Sequence, residues 1–164
     1  MHRNQLNCNF LNNILISAYD SVIFKDDNFS VGSKGIKQLN TGLIMSVVDT
    51  KDFVLGKKLG IGASGSVFLA VYKPNGLTVA IKSINIYDKE KRKQFKNDLK
   101  VLWDNNCPFL IKFFGAFFEE GSIKLVLEYM DLGSLDKVIT KVKKQPKWIP
   151  SEAILSKITQ QVYY

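Results

Sequence analysis

Leu59-Gly60-Ile61-Gly62-Ala63-Ser64-Gly65-Ser66-Val67-Phe68-Leu69 is the stretch whose reading decides the fold of this chain. Its glycines follow the spacing GxGxxG, which occurs in two unrelated phosphate-binding settings and is also compatible with an ordinary flexible hairpin turn. In the dinucleotide setting the motif follows one strand and opens a helix. Here Gly65 runs into Ser66-Val67-Phe68-Leu69, whose β-branched and aromatic residues continue as a strand. The context is strand, turn, strand. Three glycines would let such a turn fold tightly over a phosphate chain, permit positive φ, and expose amide N–H groups with no Cβ in the way.

Working outward, Phe53-Val54-Leu55 followed by Leu59 reads as the strand entering the loop. A second strand covers 66–72, where Val67, Leu69 and Val71 alternate with other residues, and Lys73-Pro74-Asn75-Gly76 supplies turn chemistry. A third strand over 77–84 contains Val79-Ala80-Ile81-Lys82, and a lysine set among buried strand residues needs an anion. From 89 to 102 the residues Phe95, Leu99 and Leu102 fall at i, i+4 and i+7, so a helix packing by one stripe is expected. After Asn105-Asn106-Cys107-Pro108, two further strand-like runs at 111–118 and 122–128 are joined by Glu119-Glu120-Gly121. Five antiparallel strands and one helix result. A last helix begins at a Ser151 N-cap and carries Ile154, Leu155, Ile158 and Val162 at helical spacing.

The chain has 164 residues, about the size of one domain, and its 46% apolar and 12% aromatic content can bury a core. No run reaches the roughly 18 apolar residues of a spanning helix, and Arg3 followed by Asn9, Asn12 and Asn13 makes a poor signal peptide. Cys8 and Cys107 lie far apart and outside any CxxC spacing, which supports neither a disulfide framework nor a zinc site. A reducing, cytoplasmic compartment is expected. The net charge is +8, and residues 1–50 cancel, with Arg3, Lys25, Lys34 and Lys37 against Asp20, Asp26, Asp27 and Asp49. The excess falls at 89–100, where Glu90 and Asp98 interleave, and at Lys137, Lys141, Lys143, Lys144 and Lys147. Only Trp148 stands near the second run, so solvated helical faces are the better reading and no nucleic-acid partner is expected. Residues 1–50 lack sustained periodicity and are rich in Asn, Ser and Gly, as expected of an extension that is partly disordered or draped over the domain, with a small core contribution.

Gly60-x-Gly62-x-x-Gly65-x-Val67 followed by Val79-Ala80-Ile81-Lys82 resembles the protein-kinase ATP-binding signature. The resemblance runs from about residue 53 to the last residue. Arg92-Lys93-Gln94, Cys107-Pro108-Phe109-Leu110, Phe114-Gly115-Ala116-Phe117 and the run from Leu127-Glu128-Tyr129-Met130 to Gly133-Ser134-Leu135 are most similar to mitogen-activated protein kinase kinases. The kinases that act on those kinases are the nearest alternative. The resemblance implies an α+β fold: a five-stranded small lobe over 51–128 with one helix, a hinge over 129–133, and the start of a large lobe over 134–164. It implies ATP and Mg2+ as cofactors and a downstream kinase as protein substrate.

It also implies roles. Leu59, Gly60, Ile61, Gly62, Ala63, Ser64, Gly65, Ser66 and Val67 would form the phosphate-covering loop, and Lys82 would hold the α- and β-phosphates. Val67 and Ala80 would close over the adenine, Leu127 would guard the back of the pocket, and Glu128 and Met130 would offer hinge backbone groups. Ser134 stands either beside the ribose or as the N-cap of the next helix, and Asp136 either reaches a ribose hydroxyl or peptide substrate or is a solvated helix-start acid. The family pairs its strand lysine with a glutamate, whereas Asp98 occupies that position here. Aspartate is one methylene shorter, so a weaker or water-bridged pair is expected unless the helix moves inward. Glu90, two turns earlier, is the less favoured partner.

Phosphoryl transfer further needs a catalytic-loop Asp, an Asn and a metal-binding Asp. The only histidine is His2 and no aspartate follows Asp136, so a His-Arg-Asp loop and metal ligands are absent from these residues. The uncovered apolar stripe of the last helix suggests a truncated longer protein. Two function classes result: the ATP-binding portion of a dual-specificity protein kinase, inactive as a fragment, or a non-catalytic nucleotide-binding or pseudokinase interaction module.

Overall fold

The computed structural model describes residues 9–11, 14–16, 21–63, 65–104, 107–143 and 151–163. Cys8, Asn105, Asn106, Lys144, Lys147 and Trp148 lie outside the described residues. The chain opens with an antiparallel meander of β1 (Asn9–Leu11), β2 (Ile14–Ile16), β3 (Ser21–Phe24), β4 (Phe29–Gly32), β5 (Gly35–Gln38) and β6 (Ile44–Val47). Its turns are local chemistry. Asn28 takes a left-handed φ of 58° and donates its N–H to the Lys25 carbonyl at 3.2 Å, closing β3 onto β4. Ser33 and Lys34 form the two-residue link between the paired Gly32 and Gly35.

The described part of this meander lies over the domain, as one of the two expectations had it, and it corrects the expectation of a small core contribution. Val22, Phe24, Val31 and Ile36 are buried and belong to the same cluster as Ile84, Phe95, Leu99 and Leu125. Strands of three or four residues place at most two side chains on one face, too few for alternation to register in the sequence. Their stability comes from the surface they cover.

The second sheet contains β7 (Phe53–Gly62), β8 (Gly65–Tyr72) and β9 (Leu77–Asn85), then, after α1 (Lys89–Asp104), β10 (Phe113–Glu119) and β11 (Ser122–Glu128). Its order is β10-β11-β9-β8-β7, fully antiparallel, so the five strands and one helix read from the sequence are all present. The β8–β9 and β10–β11 hairpins end in the expected turns. Gly76, at φ 71°, donates to the Tyr72 carbonyl at 2.9 Å, and the Leu77 N–H donates to Asn75 Oδ1 at 3.0 Å. Glu120 and Gly121 both take positive φ, the requirement of a two-residue turn whose twist matches its strands.

Alternation divides the sheet into two buried faces. Ala70, Val79, Ile81, Phe117 and Val126 pack with Val48 and Phe53 on one side, and Ile84, Ala116, Phe118, Ile123 and Leu125 pack with α1 and the meander on the other. Gly115 sits at the join, because a Cβ there would stand 2.9 Å from Val48 Cγ2 and 3.0 Å from Ser46 Oγ. Two further helices, α2 (Leu135–Lys143) and α3 (Glu152–Val162), follow the second sheet, and α3 has no buried residue. Ser151 caps α3 as expected, its Oγ accepting from the Ile154 N–H at 3.4 Å.

Helix α1 is capped by Asp88, whose Oδ1 accepts from the N–H groups of Glu90 at 3.0 Å and Lys91 at 3.1 Å. The Lys91 hydrogen bond holds the Asp88 carboxyl below its ordinary value of 3.8, with burial pushing the other way. A folded-state pKa below the unfolded one stabilises the native chain above the unfolded value, and that contribution is lost as pH falls through the folded one. The unfolding midpoints of wild type and Asp88→Ala should therefore differ at neutral pH and converge on acidification below about pH 4. A constant difference across that range would assign the cap no charge dependence.

Candidate functional site

Strand register brings the singled-out residues together. Gly60, Val67, Lys82 and Leu125 form one cross-strand row, and Leu69, Ala80 and Leu127 form the next. Directly opposed residues project from the same face of a sheet. One end of this face is covered by α1, through the buried Ile84, Phe95, Leu99 and Leu125. The other end is open: Gly60, Ile61, Gly62 and Ala63 are all exposed, Ile61 at 76%. Leu59, Ser66 and Val67 are half-buried, and Ser64 lies outside the described residues.

The three glycines of the loop answer to different demands. A Cβ on Gly65 would stand 2.0 Å from the Ser83 carbonyl oxygen and 3.0 Å from its carbon, so β9 itself requires glycine there. Around Gly60 nothing lies within 4 Å of a built Cβ, and at Gly62 the nearest atom is the Gly65 oxygen at 3.8 Å. None of the three adopts positive φ, so of the reasons given for glycine the allowance of positive φ is not used in this structure. The space left by the missing side chains at Gly60 and Gly62 is open to a ligand lying against the backbone.

The acid–lysine pair is closed. Lys82 Nζ lies 2.6 Å from Asp98 Oδ2, with each side chain 21% exposed. The other carboxylate oxygen, Oδ1, accepts from Gln94 Nε2 at 2.7 Å. The short aspartate therefore reaches its lysine directly, the case left open for a helix that lies close to the strand. Glu90 lies exposed in the first turn of α1. Gln94 was not anticipated as part of this constellation, although its i, i+4 spacing to Asp98 on one helix face was available in the sequence. Arg92, almost fully buried, is held by its Nη1 donating to the Ile86 carbonyl at 2.6 Å.

Beyond Glu128 the chain leaves the sheet. The Glu128 N–H donates to the Lys112 carbonyl at 2.9 Å, and its Oε2 accepts from the Lys112 N–H at 3.2 Å, so this side chain ties the crossover to the strand before it. Met130 is 52% exposed, and its carbonyl accepts from Gly133 N–H at 3.4 Å, with Gly133 at φ 75° making the turn. Ser134 Oγ accepts from the Lys137 N–H at 3.3 Å, the geometry of an N-cap, and Asp136 is exposed in the first turn of α2. Among the described residues no three His, Cys, Asp or Glu side chains gather to hold a metal ion, and no helix is long and apolar enough to cross a membrane.

The family model for the protein kinase domain matches residues 53–164. The chain is also 39% identical over 115 residues to dual specificity mitogen-activated protein kinase kinase 1 of Dictyostelium discoideum, an alignment covering 70% of this chain. It spans 17% of the length of that relative.

Proposed function

The chain belongs to the protein kinase family, and on that premise we propose that it is the ATP-binding portion of a dual-specificity mitogen-activated protein kinase kinase. The carrying observation is the row in which the open space at Gly60 adjoins Val67 and a lysine already clamped by Asp98. Bound ATP supplies the transferable γ-phosphoryl group. The loop amides between Gly60 and Val67, among them those of Ile61, Gly62, Ala63, Ser64, Gly65 and Ser66, would be the donors toward the phosphate oxygens, which the missing side chains at Gly60 and Gly62 let approach the backbone. Lys82 neutralises the α- and β-phosphates, while Asp98 and Gln94 fix its ammonium in place.

Leu59, Val67, Ala80 and Leu127 provide apolar contact for the base, and Glu128 and Met130 offer main-chain groups at its edge. Ser134 and Asp136 stand at the ribose end, with Ser134 also capping α2. Mg2+ use goes with the family. The described residues gather no ligand set for it, so no role in holding metal is assigned to any of them. The acceptor in this reading is a Ser, Thr or Tyr hydroxyl of a downstream kinase, in the cytoplasm.

Titration with a fluorescent ATP analogue tests the site. Lys82→Ala should weaken binding at least tenfold, about 1.4 kcal/mol, with little change in the unfolding midpoint. Equal affinities in folded wild type and variant would overturn the assignment. The 164-residue chain, which has no aspartate after Asp136, should itself show no phosphotransfer above buffer.

A further inference from the structure

Helix α1 is held on two flanks. Each helical residue advances about 100°, so with Phe95 and Leu99 facing the core, Asp98 lies about 60° to one side of Phe95 and Lys96 about 100° to the other. Lys82 engages the first flank at 2.6 Å. The meander engages the second, where Lys96 Nζ lies 2.5 Å from Asp27 Oδ2 on the β3–β4 turn. Between these two ion pairs, the Phe24 ring meets Phe95 with centroids 5.4 Å apart, and Phe24 is itself stacked on Phe29 at 4.7 Å.

The meander has its own footing. Strands β4, β5 and β6 lie against β10, and the absent side chain of Gly115 lets Ser46 and Val48 close on that strand. Strand β10 belongs to the sheet that carries Lys82 on β9. The meander thus braces α1 against the sheet to which its acid must reach. Alongside the brace runs an open cleft of about 510 Å³, lined by Asp27, Phe29, Lys96 and Trp103 among others. Phe24 and Asp27 are two of the meander residues that contact this side of α1.

We propose that the N-terminal meander is a positioning element for the Lys82–Asp98 pair, with Phe24 and Asp27 holding α1 close enough to β9 for a carboxylate one methylene shorter than glutamate to reach the lysine. Phe24 and Asp27 are positioning residues that act through Phe95 and Lys96. The proposal rests on the reading of Lys82 and Asp98 as the site's ion pair, and it concerns their geometry before any nucleotide is present.

The test is the rate at which an amine-reactive ester acylates Lys82 in the full chain without nucleotide, followed by mass spectrometry. Asp98→Ala sets the rate of an unclamped lysine. Asp27→Lys, which sets like charges against each other at an exposed site, and Phe24→Leu, which thins the ring contact, should each raise the wild-type rate at least threefold. Adding Asp98→Glu to either should bring it back within twofold of wild type, because the longer side chain spans the wider gap. A role in stability alone would not give that rescue. If Phe24→Leu fails to fold, Asp27→Lys still decides the question. An unchanged rate in the folded variants, or an increase that Asp98→Glu does not reverse, would overturn the proposal. Protection of wild-type Lys82 by ATP is scored separately: its absence would sink the nucleotide assignment and leave the positioning result standing.

Discussion

Replacing Gly65 with alanine should lower stability by about 3 kcal/mol, whereas the same substitution at Gly60 or Gly62 should change it by no more than about 0.5 kcal/mol. The difference follows from what each new methyl group meets. At position 65 it would strike the Ser83 carbonyl at 2.0 Å and approach Ile84 Cα to 3.4 Å, and these are strand backbone atoms that cannot rotate aside. Relief requires β8 and β9 to separate where Ser66 faces Ser83 and Val67 faces Lys82, which disturbs the phosphate-side row itself. At 60 and 62 the methyl enters open space. Urea unfolding of the three variants reads the contrast directly. The Gly60 and Gly62 variants should unfold like wild type yet bind a fluorescent ATP analogue more weakly, since the methyl occupies space assigned to the phosphates. A Gly65→Ala protein as stable as wild type would show that β8 and β9 do not pack this closely.

The second large effect is at Phe95. Its ring is 1% exposed and lies in a cluster with Val22, Phe24, Val31 and Ile36 from the meander and Ile84, Leu99 and Leu125 from the second sheet and α1. Phe95→Ala removes the side chain that joins these elements, and a large-to-small change of this kind costs about 3–5 kcal/mol. That is a large share of the roughly 5–15 kcal/mol that stabilises a typical domain. Denaturant unfolding should show the loss, and limited proteolysis should cut first within residues 21–48 as the meander loses its apolar seat. A loss below 1 kcal/mol, about the size of a surface effect, would mean that the meander and α1 do not share a core.

Much of the lobe was legible because its elements are long relative to their periods. Strand β8 repeats an apolar residue at Val67, Leu69 and Val71, and α1 spans enough turns for Phe95, Leu99 and Leu102 to define a stripe. The turns were legible for a different reason: Pro74-Asn75-Gly76 and Glu120-Gly121 carry their own local conformational preferences. The meander escaped the same treatment. Its strands are too short to show a period, and its Asn and Gly content reads as disorder, although Asn28 makes the β3–β4 turn at φ 58° and Gly32 and Gly35 flank the next turn. Lys25-Asp26-Asp27-Asn28 and Gly32-Ser33-Lys34-Gly35, each flanked by Val, Ile or Phe, were the available hairpin signals.

By itself, then, the sequence determined the five-stranded lobe and its helix, because each is encoded within a few consecutive turns or strand pairs, while the candidate site residues, including the aspartate in place of a glutamate, followed from the resemblance of its motifs to the kinase family. Only the tertiary structure decided that Asp98 reaches Lys82 directly, that Gly65 answers to Ser83 while Gly60 and Gly62 leave open space, and that residues 22–36 share a core with α1. These depend on contacts between residues distant in the chain, such as Phe24 with Phe95 and Asp27 with Lys96, and on ångström-scale separations between strands. Local periodicity carries no record of either, since it specifies which face of an element is apolar and not how far that face lies from its neighbour.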